Sequence, residues 1–246
     1  MQWRARQLSA GYSGNVILDN VNLDLEQGAF HVILGLNGAG KSTLLRTLAG
    51  LQPGISGQVI AGERPLASIS LKEQAALRSI VLSGRQDVVG GLLVEEVLQM
   101  AMSVNSNTEE SKQRIIGLLH IENFLNRRLH TLSDGEFQRV MIARALLQDT
   151  PFVFMDEPTA HLDVVARIEL MQLLQRLPEE LGVGLIITTH EVELVAQAAG
   201  HFIIIDADRN VHAGDADWLK REHMISRTFG GDKVRYDEAQ GRFYTS

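Results

Sequence analysis

Phe30-His31-Val32-Ile33-Leu34-Gly35-Leu36-Asn37-Gly38-Ala39-Gly40-Lys41-Ser42-Thr43 is the stretch that decides how this chain folds. Its first five residues form a compact apolar run of the kind found in a strand buried on both faces. The next nine fit G-x-x-x-x-G-K-[ST], and a helix-like stretch, Ser42–Leu51, follows and stops before Pro53-Gly54. Gly35, Gly38 and Gly40 are expected to take positive φ and let the backbone approach a ligand closely. The successive N–H groups from Gly35 through Asn37, Gly38, Ala39 and Gly40 to Thr43 then form an anion nest, which the positive end of the following helix reinforces. Lys41 brings a mobile cation to β- and γ-phosphates, and the Ser42 hydroxyl is placed to ligate Mg²⁺. Strand, loop and helix fall in the order that phosphate binding requires.

Composition narrows the setting. The chain has 246 residues, 45% of them apolar, with a formal net charge of −7, 5 Pro and no Cys. That length can bury a real core, and the apolar fraction excludes a disordered chain. Without cysteine there is no disulfide scaffold, thiolate zinc site, iron–sulfur cluster or thiol nucleophile. An acidic total argues against a protein that coats nucleic acid. No apolar stretch approaches the ~18 residues of a membrane span, and the N-terminus lacks the apolar core of a signal peptide, so a cytosolic globular protein is expected.

Two further runs read as buried strands, Phe152-Val153-Phe154-Met155 and Leu185-Ile186-Ile187-Thr188. Apolar strands alternating with helices imply a parallel sheet covered on both faces. Near Trp3–Leu8 and Val16–Leu25 the pattern alternates, with Gly11, Ser13, Gly14 and Asn15 as turn residues between them. From about Val94 to Gln148 the period is helical, and a turn-rich segment begins at Asp206. The Phe152–Met155 strand ends in Asp156-Glu157-Pro158. The C-terminal end of a parallel strand faces the ligand crevice, so Asp156 is expected to hold the Mg²⁺ shell and Glu157 to polarise an attacking water as general base.

Leu132-Ser133-Asp134-Gly135-Glu136 is an S-x-x-E capping box opening an apolar-faced helix. It also resembles the signature loop of ABC-type ATPases, a variant of L-S-G-G-Q with Asp134 third and Glu136 fifth. The resemblance covers residues 1 to about 205. It implies that Ser133, Gly135 and Glu136 reach across a dimer to the γ-phosphate held by a partner's phosphate loop, with Ser133 and the Gly135 backbone carrying the contact. Ala160-His161-Leu162-Asp163 is similar to the family's D-loop, and Thr188-Thr189-His190-Glu191 to its switch-histidine segment, in which His190 contacts the γ-phosphate and orients water beside Glu157. Tyr12 resembles the aromatic that stacks on adenine. Where the family has a glutamine contacting Mg²⁺, Gly84 stands here, with Gln86 two residues later; either the loop bulges to bring Gln86 in or water replaces that ligand.

The fold this resemblance implies is an α/β P-loop NTPase: a RecA-like parallel sheet core with an N-terminal antiparallel β subdomain, plus a helical subdomain insertion. Residues 1–246 form one domain, with 1–83 and 151–205 as nucleotide-binding core, 84–150 as helical signature subdomain and 206–246 as a hairpin and helix tail. The implied activity is hydrolysis of ATP with Mg²⁺, coupled by dimer closure to import through separate transmembrane permease subunits. The helical insertion, with Glu95 and Glu96 on its first helix, is where family members hold the permease. The implied setting is cytoplasmic and peripheral on the inner face of the membrane, as a homodimer served indirectly by a substrate-binding protein, with no nucleic acid partner. The signature variant, Val81-Leu82-Ser83-Gly84 and the tail ending Gly241-Arg242-Phe243-Tyr244 resemble the iron-siderophore, haem and cobalamin importers. A soluble ABC-type ATPase acting on ribosomes, DNA or iron–sulfur assembly, and a monomeric P-loop kinase, stand as alternatives.

Overall fold

The computed structural model describes the chain apart from Ser13, residues 85–90 and 103–107, Gln197, Ala199, Asp232, Ala239 and Ser246. It opens with two long antiparallel strands, β1 (Gln2–Tyr12) and β2 (Asn15–Glu26). β3 (Phe30–Gly35) runs into the glycine-rich loop, and α1 (Lys41–Leu48) leaves it. β4 (Ser56–Ala61) and β5 (Arg64–Pro65) return to the first pair, giving an antiparallel sheet in the order β2-β1-β4-β5. After α2 (Leu71–Leu77) and β6 (Arg78–Val81) come the helices α3 (Val94–Met102), α4 (Glu109–Leu119) and α5 (Asp134–Leu146). The core resumes with β7 (Phe152–Asp156), α6 (Val164–Leu181), β8 (Gly184–Thr189), α7 (Val192–Val195) and β9 (His201–Ile205). Residues 206–246 contribute β10 (Val211–Asp215), α8 (Ala216–Arg221), α9 (Met224–Phe229) and a hairpin of β11 (Val234–Asp237) and β12 (Arg242–Thr245).

The central sheet has the order β10-β9-β3-β8-β7-β6, parallel except for β10 at the edge, which pairs antiparallel with β9. Side chains of successive strand residues point to opposite faces. Ile33, Phe152, Phe154 and Ile186 therefore pack toward α1 and the antiparallel sheet, whereas Val32, Leu34, Val153 and Met155 pack toward α5 and α6. Both faces are covered, which explains why β3, β7 and β8 are buried along their whole length and read as unbroken apolar runs.

Trp3 fastens the antiparallel sheet to this core. It is fully buried, its ring lies 5.4 Å from both Phe152 and Phe154, and its Nε1–H donates to the Leu48 carbonyl at 3.0 Å. That carbonyl belongs to the last turn of α1, so one side chain fixes the far end of the helix that begins in the glycine loop. α1 ends at Leu48 rather than at Leu51, and Gly50, at φ 67°, turns the chain out of it. Among the described residues, no helix is long and apolar enough to cross a membrane. The C-terminal ends of β3, β7 and β8 lie side by side, with Asp156 opposite Thr188 and Leu34 opposite Thr189. That register gathers the polar residues of three strands into one crevice.

Candidate active site

The glycine-rich loop owes its shape to two left-handed residues, Gly38 at φ 78° and Gly40 at φ 108°. Gly40 is constrained twice over, because a Cβ there would also sit 2.8 Å from Ile17 Cγ2. Gly35 corrects the expectation of positive φ at all three glycines: it closes β3 outside the left-handed region, and its constraint is space, a Cβ falling 3.1 Å from the Ile205 carbonyl oxygen. Asn37 is exposed on the loop, and Ala39 is buried behind it.

Lys41, the first residue of α1, is buried, and its Nζ donates to the carbonyls of Gly35 at 3.0 Å and Leu36 at 3.2 Å. Burial lowers its pKa from the usual lysine value, and the nearby carboxylates Glu157 and Asp156 oppose that shift without cancelling it. A desolvated ammonium pinned across the mouth of a loop is well suited to a strong anion. Ser42 Oγ donates to Asp156 Oδ1 at 2.8 Å. Thr43 Oγ1 donates to the hydroxyl of Tyr12 at 3.3 Å, which places that half-exposed ring over the start of α1.

Asp156 is almost fully buried at the end of β7, yet it is well satisfied. It accepts from Ser42 and, at 2.8 Å, from Thr188 Oγ1, and Arg46 Nη2 stands 3.4 Å from Oδ2. Thr188 also accepts the N–H of Glu157 at 2.9 Å, so one buried hydroxyl fixes two acidic residues. Glu157 takes φ 46°, in the left-handed region, at a strain of about 1 kcal/mol or more for a residue with a side chain. In that conformation its carboxylate lies 3.9 Å from Lys41 Nζ and 3.4 Å from His190 Nδ1. A carboxylate between a lysine and a histidine, at the mouth of a phosphate-type loop, can accept a proton from a water held there.

The Leu132–Glu136 segment is built differently. Ser133 caps α5 by accepting the N–H of Glu136 at 3.3 Å, and Glu136 Oε2 accepts the N–H of Ser133 at 2.8 Å, completing the capping box. Glu136 Oε1 takes Arg127 Nη1 at 2.9 Å. The Ser133 N–H holds the Glu136 carboxyl below its usual pKa, with Arg127 adding to the effect. Glu136 is thus an ionised group already engaged within the chain, while Ser133 is exposed and Gly135 half-buried.

The structure therefore brings Lys41, Ser42, Asp156, Glu157 and His190 together around the loop, with Tyr12 and Thr43 beside it. Gln86 lies outside the described residues. Sequence reasoning missed Thr188 as the hydroxyl linking Asp156 to Glu157, and Arg46 as a third partner of Asp156. Arg46 lies four residues after Ser42, hence on the same helix face, a spacing that could have identified it.

Known proteins share this sequence pattern and this fold. The sequence model of the ABC transporter family matches residues 18–160. The chain is 33% identical to the "Probable siderophore transport system ATP-binding protein YusV" of Bacillus subtilis over 84% of its own length and 77% of that protein's. It is 32% identical to the phosphonates import ATP-binding protein PhnC of Trichormus variabilis, over 89% of this chain and 95% of that one. Among solved structures, a dimeric post-hydrolysis state of the ATP-binding cassette MJ0796 bound to ADP and Pi superposes with a TM-score of 0.70 at 26% identity, covering 87% of this chain and 98% of the other. The chain belongs to the ABC transporter family. It has the α/β P-loop NTPase fold, and it is an ATP-binding, ATP-hydrolysing transporter subunit.

Proposed function

We propose that this chain drives solute import by closing with a second copy of itself on two molecules of ATP. The phosphate loop of one copy receives the triphosphate: Gly35, Asn37, Gly38, Ala39, Gly40 and Thr43 offer backbone N–H groups, Lys41 its ammonium, and Tyr12 a face for adenine. Ser133 and Gly135 of the other copy cap the γ-phosphate, with Glu136 tethered beside them. Ser42 and Asp156 supply the hard oxygen donors that suit Mg²⁺. When bound with the nucleotide, that ion supplies positive charge to the transferring phosphoryl group. Glu157 takes the proton of the attacking water, and His190 holds the carboxylate and water in line. The observation that carries this reading is the Glu157 carboxylate, fixed by a left-handed backbone between Lys41 at 3.9 Å and His190 at 3.4 Å.

Because each triphosphate contacts both copies, its binding free energy selects the closed pair, and hydrolysis releases it. The place to harness that motion is a groove of about 650 Å³ between α3, α5 and β6, lined by Val81, Leu92, Val97, Met100, Phe137 and Met141. Such a groove, with Glu95 and Glu96 lining a separate depression that shares Met100 with it, suits a short helix of a membrane permease, and would hold the chain on the cytoplasmic face of the membrane. An iron-siderophore, haem or cobalamin cargo delivered by a binding protein is supported by the siderophore-transport relative, and a phosphonate cargo by a relative of similar identity. Uptake assays in cells deprived of this chain, with ferric siderophore and phosphonate offered in turn, separate the two. For the mechanism, Glu157→Gln is expected to elute at twice the monomer mass in millimolar ATP, and to remain monomeric if the two-copy reading is wrong.

A further inference from the structure

Two charged residues with no part in the scheme above stand against it. Arg167 lies in the first turn of α6, and Glu191 directly follows His190. Arg167 Nη1 is 2.9 Å from Glu191 Oε1, while Nη2 donates to the Leu162 carbonyl at 2.9 Å. Glu191 Oε1 is in turn 3.5 Å from His190 Nε2, the edge of the ring opposite Nδ1, which faces Glu157. The backbone N–H of Glu191 donates to Thr189 Oγ1 at 3.0 Å, so the carboxylate is anchored through its own main chain as well. Leu162 sits in the Ala160–Asp163 turn. That turn lies beside the capped start of α5: Leu162 belongs to the same buried cluster as Leu132 and Phe137, and a Cβ added to Gly135 would fall 3.9 Å from Leu162 Cδ2.

The contacts form one line from the 160–163 turn, which lies beside the start of α5, through Arg167 and Glu191 to His190 and Glu157. A planar guanidinium forked between a carbonyl and a carboxylate fixes both in direction, which a lysine ammonium cannot do. Glu191 also gives the imidazole a partner on the edge away from Glu157, and a ring held at both edges has its rotation about χ2 set.

We propose that Arg167 and Glu191 are positioning residues. Together they act as a strut that sets the His190 ring according to where the 160–163 turn lies, so that turnover is fast only when a second copy seats that turn. The inference rests on the two-copy reading given above. The strut touches His190 rather than the phosphates, so its loss lowers the rate of the chemical step and leaves nucleotide binding in place.

The test uses the purified full chain, steady-state ATP hydrolysis and equilibrium ATP binding. Glu191→Gln keeps the shape and removes the charge; Arg167→Lys keeps the charge and removes the fork. Each is expected to lower kcat about tenfold, inside the ~10²-fold that a misplacement of about 1 Å brings, with KM and ATP affinity within about twofold of the parent. The double variant should be no slower than the slower single one, since both break the same strut. Losses that multiply in the double variant, a kcat within about twofold of the parent in Glu191→Gln, or a loss of affinity equal to the loss of rate would each overturn the proposal. Glu191→Gln is close to isosteric, so it carries the decision should Arg167→Lys be unstable. The Glu157→Gln dimer assay with Arg167 and Glu191 intact reports separately on the two-copy reading. A dimer there with unaffected strut variants sinks the strut alone, and no dimer sinks the reading beneath it.

Discussion

The phosphate-loop end of the sheet and the capped start of α5 both open a helix, but only the first gathers its polar groups into a preorganised site. Around the loop, a buried carboxylate has three donors, a buried ammonium has two carbonyl acceptors, and a left-handed glutamate is pinned between lysine and histidine. At α5 the serine is exposed, and the acidic side chain beside it is turned back onto the chain by Arg127 and the Ser133 N–H. One half is preorganised inside the fold, where low dielectric strengthens every contact. The other lies at the surface, and under the proposed function it becomes a site only when a second copy brings a nucleotide to it. On the two-copy reading proposed above, closure of the site, rather than nucleotide binding by one chain, depends on assembly.

Several variants can break or sharpen that contrast. Glu157→Gln should show the largest effect, lowering kcat by ~10²–10⁴-fold with nucleotide affinity retained, as loss of a general base predicts. A fall of less than tenfold in a rapid-quench assay would take Glu157 out of the reaction. Lys41→Ala should weaken ATP binding by about 2–5 kcal/mol in titration calorimetry, because it strips a buried cation from its ligand. Unchanged affinity would mean that the finished half is not the nucleotide's main anchor.

The opposite end of β3 makes the contrast between partnered and unpartnered buried groups in terms of stability. His31 is buried, accepts the Glu26 N–H through Nε2, stacks at 5.0 Å on His201, and has no hydrogen-bond partner for Nδ1 among the described residues. Burial, and then the charge of His201, push its pKa down to about 4. The folded state thus favours neutral His31, so stability is fully present above about 6.5, the unfolded value, and falls as the pH drops toward 4, by roughly 3 kcal/mol in all. Melting temperatures measured across that range should slope downward in the parent and lose most of that slope in His31→Gln; equal slopes would assign the acid sensitivity elsewhere. The smallest effect belongs to Arg127→Ala. It leaves Glu136 without its cation and should weaken ATP-driven pairing of two chains by about 1 kcal/mol, with monomer affinity for ATP unchanged. If the affinity shifts equally, the two halves are not separate.

What could be read in the sequence was what is local along it. The phosphate loop, Asp156-Glu157 and the Ser133-to-Glu136 capping box each lie within a few residues, and their spacing carries the geometry. The tall apolar strands also declared themselves, since burial on both faces leaves no alternation. Thr188 was invisible as a hydroxyl partner because its role arises from the register of β7 on β8, which places it opposite Asp156. The left-handed Glu157 has no sequence signal, since propensity would put a glycine or asparagine there. Arg167 and Glu191 meet only because β8 returns the chain to the crevice from which α6 leads away. α2 went unread although Ser70 and Glu73 form a capping box, because seven residues give too few turns for a period to emerge.

The central claim is that the cradle of one copy is closed by the cap of another. The chain has no native cysteine, so Asn37→Cys and Asp134→Cys introduced together into Glu157→Gln provide a clean probe of it. Under mild oxidation the account predicts a disulfide-linked species of twice the monomer mass that forms with ATP and not without it. A disulfide confined to single chains, or linkage that ignores ATP, would contradict it.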